Sequence, residues 1–234
     1  MATIYIVEVD INIREIERYA LKNSGYEVEE FEGSASFFKR LEKNIPSLIL
    51  LDIMLPGEDG LDILTRIRAD KATADVPVIM VTAKTSELDK VKGLDLGADD
   101  YITKPFSISE LIARVDAVCR RVNRSGSKPE EASQIVSGPF TLNLKSRTVF
   151  KNGEQIDLTQ VEYQIMEYFF KNQNTALDRS SILNHIWGES YYGDDKIVDV
   201  NIRRIRMKIE DEPSNPKYIL TIWGFGYKWA GGSN

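Results

Sequence analysis

Two carboxylates in the first half of the chain stand where apolar runs stop: Glu8 after TIYIV and Asp52 after LILL. In an open parallel sheet, ligands bind at the carboxyl ends of the strands, so acids at two such ends can share one site. Glu8 and Asp52 could hold Mg²⁺ there, a hard ion that takes oxygen ligands and keeps several waters. Taken singly, either acid is equally well a solvated carboxylate capping a strand or helix, since caps are rich in Asp and Glu. A second constellation is basic. Over residues 196–209, Val198, Ile202, Ile205 and Ile209 form one apolar stripe at helical spacing. Lys196, Val200, Arg203, Arg204 and Met207 fall on the other side. An Arg-bearing outer face suits the DNA major groove, where Arg reads guanine edges and a small apolar group meets a thymine methyl. A merely solvated helix face would carry similar charge. His185 is the sole histidine, with no partner for a metal site or a nucleophile pair, and is read as structural. Cys119 is the sole cysteine, which excludes an intramolecular disulfide and a Cys-based zinc site.

The elements that must position these groups divide into two regimes. Up to about residue 122, short apolar runs at 3–7, 47–53, 76–82 and 100–103 alternate with helix-periodic segments, and residues 26–31 form a more polar, edge-like strand. Such alternation implies a parallel sheet with helices on both faces. Gly25 sits at a helix C-cap position, and Ser107 with Glu110 forms a capping box for the last helix of this half. Residues 121–134 (RVNRSGSKPEEASQ) lose apolar periodicity and read as a tether. The expected domains are therefore 1–121 and 136–234, joined by a linker over 122–135. The second domain opens with short strands at 140–144 and 148–150 and the hairpin signal Asn152-Gly153. Thr159 and Glu162 make a capping box ahead of a helix to about Lys171, Asp178 opens a second, and Asp194 or Asp195 a third. Residues 218–230 alternate as a strand pair about a Gly224/Gly226 turn, completing an α+β module.

The net charge of −6 argues against a DNA binder until it is divided. Residues 1–134 carry 18 Lys+Arg against 24 Asp+Glu, and residues 135–234 carry 12 against 12, so all the excess acid lies in the first half. A neutral second half still binds phosphates when its cations share one face. No apolar run is long enough to span a bilayer and no secretory signal opens the chain, so no membrane partner and a cytoplasmic location are expected.

Glu8, Asp52 followed by Met-Leu-Pro-Gly, Thr82-Ala83 and Lys104-Pro105 form one ordered set, each at a predicted strand end. That set resembles the receiver domain of two-component response regulators over roughly residues 2–121. The resemblance implies a five-stranded, doubly wound, flavodoxin-like α/β fold that is not an enzyme. It implies that Asp52 is the phosphoacceptor, a carboxylate nucleophile toward a phosphohistidine on a sensor histidine kinase. Thr82 and Lys104 would bind the phosphoryl oxygens, and Tyr101 would be the aromatic that swings inward with Thr82. Mg²⁺ would be held by Glu8, Asp52 and the Met54 backbone carbonyl. The family has two adjacent acids where this chain has Glu8 and Val9, which is expected to weaken Mg²⁺ binding. Asp10 could substitute in part, since residues two apart on a strand point to one side. Residues 88–121 also resemble the dimer face of the OmpR/PhoB subfamily, with Lys90–Glu110, Asp99 or Asp100 with Arg114, and Asp95–Arg121 as bridging pairs in a homodimer.

The segment DKIVDVNIRRIRMKIED with YILTIWGFGYKW closely resembles the recognition helix and wing of OmpR/PhoB winged helix-turn-helix domains over about residues 138–230. It implies binding to tandem promoter half-sites, with Val200 and Arg204 as base readers and Lys196 on the same face. Asn201, Arg203 and Arg206 would contact phosphates. The family commonly has an Arg before the Gly-x-Gly turn; Trp223 stands there, which leaves Thr221 or Lys228 as the wing's backbone contacts. Residues 187–194 match the segment that approaches RNA polymerase in relatives, or are a plain connector. The alternative reading is a regulator indifferent to phosphate, its receiver only a dimerisation platform, and Val9 is the feature that favours it.

Overall fold

The computed structural model describes residues 2–83, 93–123, 134–188, 191 and 194–231, with side chains of the first half described as far as Cys119. The chain forms two compact units, Met1–Arg124 and Ser125–Asn234. The first contains β1 (Thr3–Val7), α1 (Ile11–Asn23), β2 (Glu27–Phe31), α2 (Ser34–Leu41), β3 (Leu48–Asp52), α3 (Gly60–Ala69), β4 (Val78–Thr82), β5 (Asp100–Thr103) and α4 (Ile108–Asn123). The sheet runs β2-β1-β3-β4-β5, and every neighbouring pair is parallel. β3 and β4 are buried along their whole length, as continuous apolar strands between two helical layers should be. β2 lies at an edge and carries Glu27, Glu29 and Glu30, charges that discourage pairing with another chain.

Ile4, Ile6, Leu48, Leu50, Ile79, Val81 and Ile102 pack with Ala20 and Leu21 of α1 and with Leu111, Val115 and Val118 of α4. Alternation then dictates where the acids emerge. Glu8 continues the Ile4–Ile6 row and Asp52 the Leu48–Leu50 row, so both leave the sheet on this same face. Register keeps them level, since Val7 pairs with Leu51. The opposite face is closed by an aromatic group of Tyr5, Phe31 and Phe37 with ring centroids 5.0 to 6.4 Å apart.

The second unit contains β6 (Gln134–Ser137), β7 (Phe140–Asn143), β8 (Thr148–Lys151), β9 (Glu154–Ile156), α5 (Gln160–Lys171), β10 (Ala176–Asp178), α6 (Arg179–Trp187), α7 (Lys196–Ile209), β11 (Ile219–Ile222) and β12 (Gly226–Trp229). β6 to β9 form an antiparallel meander, and β10-β12-β11 a second sheet. Asn152 and Gly153 have φ of 53° and 86°, the backbone that a two-residue hairpin needs. The expected linker over 122–135 is corrected at its far end: Gln134 and Ile135 pair with Asn143 and Leu142. A strand this short has too few residues to show alternation, and the same holds for β9 and β10. Residues 124–133 lie outside the described residues. The Thr159–Glu162 capping box forms in both directions. That of Ser107 forms in one only, because the Glu110 carboxylate turns to Arg114 at 2.9 Å.

Candidate functional site

Lys104 organises the acidic end of the first sheet. Its Nζ donates to Glu8 Oε2 at 2.5 Å and to Asp52 Oδ2 at 2.8 Å. Its backbone N–H donates to the Thr82 carbonyl, which seats the lysine at the mouth of β4 beside Asp52. The other oxygens are committed locally: Asp52 Oδ1 accepts the Met54 N–H and Glu8 Oε1 the Asp10 N–H, both at 2.9 Å. Burial raises the Glu8 carboxyl above its ordinary value, opposed by its bond to Lys104. For Lys104, burial works against the ammonium, but Asp52 and Glu8 outweigh it and hold it above its ordinary value. An ammonium held charged between two buried carboxylates is also one held ready for phosphoryl oxygens. Thr82 is fully buried at the end of β4, and Tyr101 is buried on the neighbouring β5, where it pairs with Met80.

Val9 is 43% exposed and lines a cleft of about 630 Å³ with Ile53, Met54, Leu55, Pro56, Glu58 and Asp59. Glu8 and Asp52 fit Mg²⁺ as a two-carboxylate donor set, a number the ion commonly accepts alongside water. Asp10 does not join them as the strand argument expected. β1 ends at Val7, and Asp10 instead caps α1, accepting from the N–H groups of Asn12 and Ile13 at 2.8 and 3.3 Å.

Sequence reasoning missed Glu17. It lies on the inner face of α1, fully buried, with neither carboxylate oxygen hydrogen-bonded. Burial raises its pKa from 4.5 to about 8, with Glu8 and Asp52 adding to the rise and Lys104 opposing it. The signal was available: Glu17 falls on the helical stripe that includes Ile13, Ala20 and Leu21.

The expected dimer-face charges are largely engaged within one chain. Arg114 binds Asp100 at 3.0 Å and Glu110 at 2.9 Å. Asp99 is corrected as a bridging residue: it is buried, binds Arg68 at 2.8 Å and accepts the Val78 N–H. Asp95 is half-buried. Lys90 and the Arg121 side chain lie outside the described residues.

On α7 the outward face is narrower than expected. Lys196, Arg203 and Met207 are exposed. Val200 and Arg204 are buried, which corrects their placement as outward base readers. Arg204 Nη2 stands 3.0 Å from Glu162 Oε1 of α5, and Lys208 Nζ donates to Glu162 Oε2 at 2.7 Å. Asn201, assigned to a phosphate, is fully buried and donates to the Ile197 carbonyl one turn back. Arg206, also assigned to a phosphate, turns to the hairpin: Nη2 donates to the Ile219 carbonyl at 2.6 Å and to Thr221 Oγ1 at 2.8 Å. The common cause is that six of the fourteen positions are buried apolar residues, Ile197, Val198, Val200, Ile202, Ile205 and Ile209, so the inner face is wide and the polar residues between them are drawn in with it. Lys228 is half-buried. His185 stacks on Tyr168 with centroids 3.9 Å apart, in keeping with a structural role. Of the 187–194 segment, Trp187 is buried and residues 189, 190, 192 and 193 lie outside the described residues.

Among the described residues no helix is long and apolar enough to cross a membrane. Residues 4–116 match the family model described as response regulator receiver domain, and residues 153–229 match transcriptional regulatory protein, C terminal. The chain is similar to sensory transduction protein RegX3 of Mycolicibacterium smegmatis, 39% identical over 231 residues, with 99% of this chain and 100% of the relative covered. RegX3 of Mycobacterium tuberculosis H37Rv is 40% identical over 233 residues with the same coverage. Among solved structures, the Thermotoga maritima response regulator DrrB, an OmpR/PhoB homologue, matches 99% of this chain and 100% of its own at 32% identity and a TM-score of 0.51.

Proposed function

The chain belongs to the two-component response regulators that join a receiver to a C-terminal DNA-binding domain, and from that premise we propose that Asp52 accepts a phosphoryl group from a phosphohistidine on a sensor histidine kinase. An Asp52 carboxylate oxygen attacks phosphorus, the P–N bond breaks, and the histidine nitrogen leaves with the bonding pair. The observation that carries the reading is Lys104 spanning Glu8 and Asp52. Once Asp52 is esterified, that ammonium and the Thr82 hydroxyl stand beside the new phosphoryl oxygens and offset their charge. Mg²⁺ bound by Glu8, Asp52 and the Met54 carbonyl would neutralise charge between phosphate and carboxylate.

Movement of Thr82 with Tyr101 is the step that carries the phosphoryl signal away from Asp52. Receivers then pair, with Asp95, Asp100, Glu110 and Arg114 exchanging part of their internal bonding for bonds across the interface, together with Lys90 and Arg121. Pairing brings two DNA-binding domains to tandem promoter half-sites. There Lys196, Arg203 and Met207 face the duplex, and Thr221 and Lys228 lie on the wing. Arg204, Val200, Asn201 and Arg206 support α7 and the hairpin from within. Residues 187–194 are left as the segment toward RNA polymerase. The test is incubation with acetyl phosphate and Mg²⁺, followed by peptide mapping, and selection of duplexes from a random pool with the treated chain. Label on Asp52 that Asp52→Asn abolishes, with recovery of duplexes carrying repeated half-sites, is the expected result. Recovery of the same duplexes at the same affinity with no label at all would instead leave a phosphate-independent regulator.

A further inference from the structure

Glu17 is 1% exposed, and neither of its carboxylate oxygens has a hydrogen-bond partner. The other buried acids described in the first unit are engaged: Glu8 and Asp52 share Lys104, Asp99 binds Arg68 and Asp100 binds Arg114. Its place in the fold relates it to the first two. β1 ends at Val7 and α1 begins at Ile11, so α1 starts at the end of the sheet where Glu8 and Asp52 emerge. A helical side chain leans toward the N-terminus of its own helix, and Glu17 therefore leans toward that end. Its neighbours on the same buried face, Ala20 and Leu21, pack with Ile4, Ile6, Leu48 and Leu50. Glu17 thus stands behind the acidic site, with no hydrogen bond to Glu8, Asp52 or Lys104.

The field at Glu17 comes from that site. Burial raises its pKa to about 8; Glu8 adds to the rise, Lys104 opposes it and Asp52 adds to it again. The other titratable groups on elements packed against α1 are taken up elsewhere. On β2, Glu30 faces Arg14 and Arg18 of α1 itself. On α4, Arg114 is held by Asp100 and Glu110, and Asp116 accepts from Tyr26. Toward the shared core α4 turns Leu111, Val115, Val118 and Cys119. One lysine is therefore the only cation acting on three buried carboxyls. A divalent ion on Glu8 and Asp52 would reverse that balance, because a bound cation is the largest charge in its surroundings and inverts the local preference for the protonated form.

We propose that Glu17 is a proton-bearing member of the acidic site, neutral while Lys104 alone serves Glu8 and Asp52 and ionised when Mg²⁺ joins them. This rests on the Mg²⁺ reading above and adds a regulation to it. Glu17 acts through charge from behind the donor set and is not itself a ligand. The ion and the proton oppose each other: uptake of Mg²⁺ sends the Glu17 proton to solvent, and acid returns the proton and weakens the ion. In the loaded site Glu17 then supplies a third negative charge, one that Val9, next in sequence to Glu8, does not.

The experiment is calorimetric titration of the full chain with magnesium chloride from about pH 5.5 to about pH 8.5. Each titration is repeated in buffers of different ionisation enthalpy, so that the protons released are counted. Wild-type affinity should rise with pH up to about 8, and Glu17→Gln should remove most of that rise. The two chains then bind alike at the acid end and differ by about fivefold or more at the alkaline end. At neutral pH the variant should release up to about one proton fewer for each ion bound. Glu17→Leu should behave as Glu17→Gln does, which separates the lost charge from an ill-placed amide. Equal affinities at every pH overturn the proposal and leave the metal reading standing, and so does a difference that does not change with pH. If the wild type takes up no Mg²⁺ at any pH, or Asp52→Asn leaves uptake unchanged, the metal reading itself fails and the proposal falls with it.

Discussion

The residue with the largest uncompensated cost is Glu17, a carboxyl buried on the inner face of α1 with no hydrogen bond. Its pKa is about 8 in the folded receiver against 4.5 ordinarily, so between those values the folded state binds more protons than the unfolded one. Stability is then fully present below about pH 4.5 and falls as pH rises toward about 8. At pH 7 the cost is about 3 kcal/mol. Glu17→Leu should raise the receiver's melting temperature, with a small gain at pH 5 and a larger one at pH 8. A gain that does not grow with pH, in calorimetric melts of the full chain, would show that Glu17 is solvated or partnered. Val9 is the complementary case, an apolar side chain next in sequence to Glu8 that lines a cleft with Glu58 and Asp59. Val9→Asp should tighten Mg²⁺ binding by at least roughly tenfold, the effect of losing even an outer-shell partner. Isothermal titration of the full chain measures it, and an unchanged affinity would place the ion away from Val9.

Among the elements, α7 is tied to α5 by a single acid. Glu162 sits at the start of α5, fully buried, and faces Arg204 at 3.0 Å as an ionic contact and Lys208 at 2.7 Å as a hydrogen bond, while its Oε2 also closes the capping box on Thr159 N–H. Removing the acid takes from both cations the buried carboxylate that they share, which costs more than the intact group contributes. Glu162→Ala should destabilise the second unit by about 3 kcal/mol. Urea unfolding followed by emission of the buried Trp187 and Trp229 reads this directly. A midpoint within error of wild type would mean that solvent reaches Arg204 and Lys208 readily. Because the same acid aims α7, the variant should also blunt discrimination between selected and random duplexes.

For the whole molecule, the proposed pairing of receivers is what would link the two units in function. Holding two DNA-binding domains together turns the second half-site contact into an intramolecular event, which can raise affinity by about 10² or more. Phosphorylated chain should therefore prefer a duplex with two half-sites over one with a single half-site, and Asp52→Asn should lose that preference while keeping its single-site affinity. Gel-shift titrations with the two duplexes distinguish these cases. Equal preference in Asp52→Asn would uncouple phosphorylation from DNA binding. What was legible in advance at this scale was the division itself, because the alternation of apolar runs and helices stops at the residues that collect Ser, Gly, Pro and charge. The fold of each half was equally legible, through strand ends that carry Glu8, Asp52, Thr82 and Lys104, and through the Asn152-Gly153 hairpin and the Thr159–Glu162 box. These are local signals, set by spacing and backbone preference within a few residues. Asp10 became a helix cap because β1 stops at Val7 and its carboxylate meets the N–H groups of Asn12 and Ile13, a local outcome. Two things were decided only by tertiary structure: Val200 and Arg204 turned inward because α7 packs on α5 and Glu162, and Asp99 was taken by Arg68 from a helix 31 residues earlier in the chain. In both cases the deciding partner is distant in sequence. Spacing names the groups able to react or pair, but packing chooses which oxygen and which cation meet.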